Sequence, residues 1–250
     1  MTDAILSKDV SLDVVLSKDT IKRLAKDVKE IMKNPLTNHG IHYVHDTENI
    51  LKGYALIIGS KDTPYENGSY IFELNYPADF PQSPPKVIYH TNDGKIRFNP
   101  NLYRNGKVCL SMLNTWRGEQ WTPCQTISSI LLTICSILDE NPLLNEPNVR
   151  LTDKDIAPYN KIVTYGNYTV AIGDVLEKET YRNKFPELHE IACRHFLQNF
   201  DDIIGKLRTC RKYDRDVEVT EFYRMSVILC YKQTETRLHN IFDKLKIEYK

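Results

Sequence analysis

Between residues 41 and 91 the chain runs through four β-type segments with no helical stretch between them, and that succession constrains the fold more than any other feature. The segments are 41–45, "LKGYALIIG" (51–59), "SYIFELNYP" (69–77) and "KVIYHT" (86–91), separated by the turn-forming stretches "SKDTPYENG" and "ADFPQSPP". Short strands that follow one another directly pair as an antiparallel meander. Pro77, Pro81, Pro84 and Pro85 lack the N–H that a central strand needs, so the exit from the third strand is a rigid loop.

Helical patterns bracket the meander. From Lys18 to Lys33, the residues Ile21, Leu24, Ala25, Val28, Ile31 and Met32 form one apolar stripe that Asn34-Pro35 ends. Opposite them Lys22, Lys26, Lys29 and Lys33 stand in a row, which reads as a solvated face or a docking surface. "TPCQTISSILLTICSIL" predicts a central helix with Thr122 as N-cap, Pro123 at the first helical position and Gln125 closing a capping box. Ile127, Ile130, Leu131, Ile134, Cys135 and Leu138 are its expected core face. Residues 156–179, 186–210 and 218–247 read as further helices, with Gly166 and β-branched residues weakening the first. The expected fold class is α+β. The expected division is a mobile arm over 1–17, a core domain over 18–182 and a helical C-terminal extension over 183–250.

Lys+Arg and Asp+Glu balance at 33 each, so no whole-chain field attracts nucleic acid or an anionic membrane. The N-terminal residues lack a cationic segment followed by a long apolar one, and no apolar run reaches the length of a membrane span. The expected location is therefore cytoplasmic or nuclear, where the six cysteines default to free thiols.

One of those thiols has a distinctive setting. In "RFNPNLYRNGKVCLSML" (97–113), Cys109 follows an Asn105-Gly106 turn that brings the chain back toward Asn101. A cysteine protease or thiol hydrolase needs a histidine to take the thiol proton, and none of the seven histidines sits in a recognisable catalytic context. His39, His42 and His45 have an odd spacing that alternates faces on a strand, so no metal site is expected. A redox sensor wants a resolving thiol close by, and Cys124 is fifteen residues away. A thiol that carries an acyl group as a thioester needs no strong base of its own. It needs a donor for the oxyanion formed when an amine attacks, and Asn101, held by Pro100, is the candidate.

"PYENGSYIFELNYPADFPQSPPKV" and "FNPNLYRNGKVCLSML", followed by Trp121-Thr122-Pro123, resemble the ubiquitin-conjugating enzymes from about residue 18 to 165. The resemblance implies the ubiquitin-conjugating fold, with Cys109 as thioester acceptor and Asn101 as the oxyanion or active-site-loop residue. Asn99 and Pro100 support that site, with Asn141 and Glu146 beyond the central helix. It implies that the first helix meets an activating enzyme through Lys22, Arg23 and Lys26, and that Gln82, Thr122 and Pro123 face ligases. The implied partners are ubiquitin or a ubiquitin-like modifier, an activating enzyme, a ligase and a substrate protein, with no metal or organic cofactor.

Four departures accompany the resemblance. Asn99 replaces the family's usual His, eleven residues separate Cys109 from Trp121, Leu143 and Leu144 stand where many members carry an acid, and Gln82 replaces a frequent aromatic. The first three, with "NEP" and "YNKIVTYGNYTVAIGDVL", resemble the long Z-type branch and the conjugating domain of the giant inhibitor-of-apoptosis protein. That branch implies an alternative activating enzyme and a second ubiquitin-like modifier. Glu146 or Asp139 is the nearest substitute for the absent acid, while Trp116 either lines the cleft or packs. The competing reading is a silent ubiquitin- or ligase-binding module of the same fold.

Overall fold

The structure, a computed structural model, describes residues 16–249; most of the expected arm, residues 1–15, lies outside the described part. The first helix, α1, is Lys18–Lys33, with the Ser17 side chain accepting from the Thr20 N–H at 2.9 Å. Its buried face is Thr20, Leu24, Asp27 and Ile31, rotated from the predicted stripe so that Ile21 and Met32 are 41% and 65% exposed. The rotation buries Asp27, whose carboxylate is paired with Arg23 at 2.9 Å.

Strands β1 (Ile41–His45), β2 (Lys52–Ile58), β3 (Ser69–Asn75) and β4 (Lys86–Tyr89) form the expected antiparallel meander in the order β1-β2-β3-β4. Strand alternation gives the sheet two apolar faces. Ala55, Ile57, Phe72 and Leu74 join a core with Ile127, Ile130, Leu131 and Ile134, all fully buried. Leu56, Ile58 and Ile71 belong to a second core, built with the C-terminal helices.

The central helix, α2, is Ile127–Ser136 and begins five residues after Thr122. Thr126 is its N-cap, with Thr126 and Ser129 exchanging side-chain and backbone bonds, so Thr122 and Pro123 precede the helix. The Thr122–Gln125 pair instead closes a turn, with the Gln125 N–H on the Thr122 carbonyl at 3.0 Å. Cys135, expected in the core, is only half-buried at its edge.

The 156–179 region is helical in three parts: α3 (Ile156–Gly166), a π-helical stretch Asn167–Asp174, and α4 (Val175–Glu177). A Cβ on Gly166 would lie 2.8 Å from Ile96 and 3.0 Å from Phe98, so glycine there permits the close approach of α3 to the segment before the thiol loop. Two more helices follow, α5 (Glu179–Lys184) and α6 (Pro186–Cys210).

The helix expected over 218–247 is corrected. Strands β5 (Val217–Thr220) and β6 (Met225–Ile228) form a hairpin, and only α7 (Tyr231–Glu248) is helical. Val217, Val219, Val227 and Ile228 favour strand over helix, and Tyr223 and Arg224 turn the chain with positive φ. Helices α6 and α7 pack together, Phe200 and Phe242 stacking at 3.8 Å.

Candidate active site

Asn101 reaches Cys109 because two local devices fold the 99–109 loop. Gly106, at φ +87°, turns the chain, and the Tyr103 N–H then bonds the Lys107 carbonyl at 2.9 Å. Asn99, fully buried, donates from Nδ2 to the Ile137 carbonyl at 2.7 Å and to the Tyr65 hydroxyl at 3.2 Å, and accepts the Asn101 N–H on Oδ1 at 2.9 Å. Asn99 is thus the anchor between the loop and the end of α2.

Asn101 and Cys109 meet as expected. The Cys109 N–H donates to the Asn101 carbonyl at 2.9 Å, and Asn101 Nδ2 donates to the Cys109 carbonyl at 2.6 Å. The amide spends one of its two N–H groups on this bond. Both residues are buried, Cys109 to 1% exposure. The segment after the thiol is knotted against it. The Thr115 hydroxyl accepts the Leu110 N–H at 2.9 Å and lies 3.1 Å from the carbonyls of Val108 and Leu110. Beyond Thr115, Trp116 is 39% exposed and borders a groove with Arg117 and Pro147. Trp121 is core, its indole N–H on the Pro81 carbonyl at 2.7 Å.

The hydrogen bonds of Cys109 run to Asn101, and no histidine is among its partners in the described residues. A histidine–thiol pair does exist in the extension, His189 with Cys193 at 3.6 Å, but burial pushes the Cys193 thiol up to about 11. It is a core pair.

Past α2, the Asp139 carboxylate accepts the Asn141 N–H at 3.0 Å and the Asn145 amide at 3.2 Å; burial nevertheless raises its pKa. Asn141 begins a short turn in which Pro142 and Leu143 are buried and Leu144 is exposed. Glu146 ends that turn and accepts a hydrogen bond from the Tyr223 hydroxyl. Arg97 lies behind the Asn-Pro-Asn tripeptide, holding the Asn99 carbonyl at 3.0 Å and the Pro100 carbonyl at 2.6 Å. Neither Tyr223 nor Arg97 was legible as a site residue. The β-branched alternation around Tyr223 was the available signal for its hairpin.

The surface residues divide into two sets. Lys22 and Lys26 are exposed on α1, whereas the Arg23 guanidinium is turned inward onto the carbonyls of Pro123 and Gln125 and over the Phe80 ring. Arg23 therefore ties α1 to the loops on which Gln82, Thr122 and Pro123 are exposed. Among the described residues no group of His, Cys, Asp or Glu is arranged to hold a metal, and no helix is long and apolar enough to cross a membrane.

The sequence model of the ubiquitin-conjugating enzymes matches residues 23–165, which is over half of the chain. The zebrafish (Danio rerio) ubiquitin-conjugating enzyme E2 Z is 40% identical over 189 residues, covering 74% of this chain and 56% of that protein. The human dual E2 ubiquitin-conjugating enzyme/E3 ubiquitin-protein ligase BIRC6 is 35% identical over 207 residues, covering 79% of this chain and 4% of that one. The chain thus spans little more than half the length of the E2 Z relatives it matches. Among solved structures, human ubiquitin-conjugating enzyme E2 G1 is similar with a TM-score of 0.42 and 31% identity, covering 48% of this chain and 94% of that one. On the match over residues 23–165 and on the identity to relatives of the same kind, this chain belongs to the ubiquitin-conjugating enzyme family.

Proposed function

We propose that the chain carries ubiquitin or a ubiquitin-like modifier as a thioester on Cys109 and passes it to a lysine amine of a substrate protein. The observation that supports this reading is the paired bonding of Asn101 and Cys109, which holds a side-chain amide on the backbone of the residue that bears the thiol. The modifier arrives as a thioester of an activating enzyme, which consumes ATP. The Cys109 thiolate adds to its carbonyl carbon and displaces the partner's thiolate, an exchange of one thioester for another.

In the second step a lysine nitrogen adds to the thioester carbonyl. The spare N–H of Asn101 stabilises the oxyanion, the C–S bond breaks with its electrons leaving on Cys109, and the nitrogen's proton passes to a carboxylate and then to water. Glu146 is the carboxylate assigned to that role, because Leu143 is buried and Leu144 is apolar at the family's usual position. Lys22 and Lys26 serve the activating enzyme, and the loops of Gln82, Thr122 and Pro123 serve a ligase. No metal or organic cofactor enters either step. The cytoplasm or nucleus, which keeps Cys109 reduced, is the compartment this chemistry requires.

The test is a charging assay with ubiquitin, ATP and a panel of activating enzymes on a non-reducing gel. A thiol-labile adduct that Cys109→Ser cannot form is expected. Folded wild-type protein that takes no modifier from any activating enzyme would make the chain a silent binding module.

A further inference from the structure

The hairpin of the C-terminal extension reaches the catalytic loops through Tyr223 and through Met225, whose sulfur accepts the Arg97 N–H at 3.3 Å. Tyr223 lies at its turn with φ +60°, and Arg224 follows with φ +49°. Side chains rarely adopt this conformation, and a residue that does is held there by its surroundings. The surroundings of Tyr223 run three ways. Its carbonyl accepts from Arg104 at 2.9 Å, and Arg104 belongs to the loop between Asn101 and Cys109. Its ring lies 4.8 Å from the guanidinium of Arg97, the residue that holds the carbonyls of Asn99 and Pro100. Its hydroxyl donates to Glu146.

We propose that Tyr223 is a positioning residue for acyl transfer, holding Glu146 and its loop against the loop that carries Asn101 and Cys109. The C-terminal extension then completes the transfer site. This rests on the acyl-carrier reading of Cys109. Tyr223 touches none of the reacting atoms: the lysine nitrogen bonds to the thioester carbon, the Cys109 thiolate leaves, and the nitrogen's proton goes to Glu146 and on to solvent. By donating to one oxygen of Glu146, Tyr223 fixes the carboxylate's orientation and leaves its other oxygen available as a proton acceptor. Burial, with Glu146 beside it, raises the Tyr223 pKa far above its ordinary value, so the phenol remains a donor throughout the working pH range. Charging needs only the thiol exchange. Discharge to an amine needs Glu146 as well, so the two steps separate the proposal from simple packing.

The experiment is a pulse-chase on the full chain with Tyr223→Phe, Glu146→Gln and the double variant. Each is charged with ubiquitin, ATP is removed, and free lysine is added at several pH values. Tyr223→Phe keeps the ring on Arg97 and the carbonyl on Arg104, losing only the hydroxyl. The expected result is a loss of about threefold to tenfold in discharge that exceeds any loss in charging. That loss shrinks toward pH ~10, where the amine is increasingly neutral. Glu146→Gln gives a similar loss, and the double variant is no slower than the worse single one. Wild-type discharge in Tyr223→Phe, equal losses in both steps, or losses that multiply in the double variant would each overturn the proposal. If Tyr223→Phe does not fold, Glu146→Gln still overturns the proposal should its discharge match wild type, because Tyr223 would then have no working carboxylate to position. Wild-type protein that never charges sinks the acyl-carrier reading itself, and with it any transfer for Tyr223 to position.

Discussion

The Asn101 amide and the Cys109 carbonyl are 2.6 Å apart, and the Cys109 N–H returns a bond of 2.9 Å to the Asn101 carbonyl. The two bonds close the loop between the residues and hold the Asn101 side chain on the Cys109 backbone. Asn101→Ala removes the loop tie and, on the proposed mechanism, the oxyanion donor. Oxyanion donors contribute about 10²–10³ in rate, so lysine discharge should fall on that scale while charging falls much less. Single-turnover rates for the two steps check this, and equal losses would mean that Asn101 only shapes the loop.

Asn99 tests the other half of that unit. Asn99→Asp keeps the acceptor for the Asn101 N–H but sets a carboxylate against the Ile137 carbonyl, where an N–H now stands at 2.7 Å. Losing a buried donor costs about 1–3 kcal/mol, and more where a charge replaces it. Urea denaturation should show a loss of at least that size, whereas an unchanged midpoint would remove Asn99 as the loop's anchor.

What the sequence disclosed and what it withheld follow from the range of the forces. The meander and the thiol loop were legible because their determinants are local: turn residues between β-branched runs, and a glycine with positive φ placed between Asn101 and Cys109. The start of α2 was misplaced because Thr122 and Thr126 offer competing caps, and the winner is the one immediately preceding the buried Ile127. The hairpin at 217–228 was missed because Phe222 and Leu229 mimic helical spacing, while Val217, Val219 and Ile228 stand exposed. Nothing local announced the Tyr223–Glu146 contact, which joins residues 77 apart in the chain.

Lys22 and Arg23 are neighbours in sequence with opposite surroundings. Lys22→Glu with Lys26→Glu changes only exposed side chains, so melting should hold while charging slows by about tenfold or more at low salt and converges on the wild-type rate as salt rises. Arg23→Ala instead strips the bonds to Pro123 and Gln125 and leaves Asp27 buried without its cation. It should lower stability by about 1–3 kcal/mol. A stable Arg23→Ala that charges poorly would reassign Arg23 to the docking surface.

His42, His90, His189 and His195 all have pKa values lowered chiefly by burial. The folded state therefore binds fewer protons than the unfolded one. Their contribution to stability is present above the ordinary histidine value of about 6.5 and is lost as pH falls through the lowered values. His195 Nε2 donates to Asn67 Oδ1 at 2.9 Å, a bond that a side-chain amide can imitate. The urea midpoint should drop between about pH 7.5 and pH 5.5, and drop less in His195→Gln. Equal drops in both proteins would show that His195 is not one of the groups responsible.

Thr115 ties the segment after the thiol back onto Val108 and Leu110, the two neighbours of Cys109. Thr115→Val keeps the shape but leaves the buried Leu110 N–H without its acceptor, at a cost of about 1–3 kcal/mol that opening of the segment relieves. Each 1.4 kcal/mol or so multiplies the open population tenfold. Alkylation of Cys109, followed by mass spectrometry, should therefore be slower than that of the exposed Cys124 in wild type and about tenfold faster in Thr115→Val than in wild type. Cys124 supplies the internal reference, because its exposure does not depend on this knot. If the Cys109 rate does not change, the thiol is reached from another side and Thr115 serves the loop's stability alone.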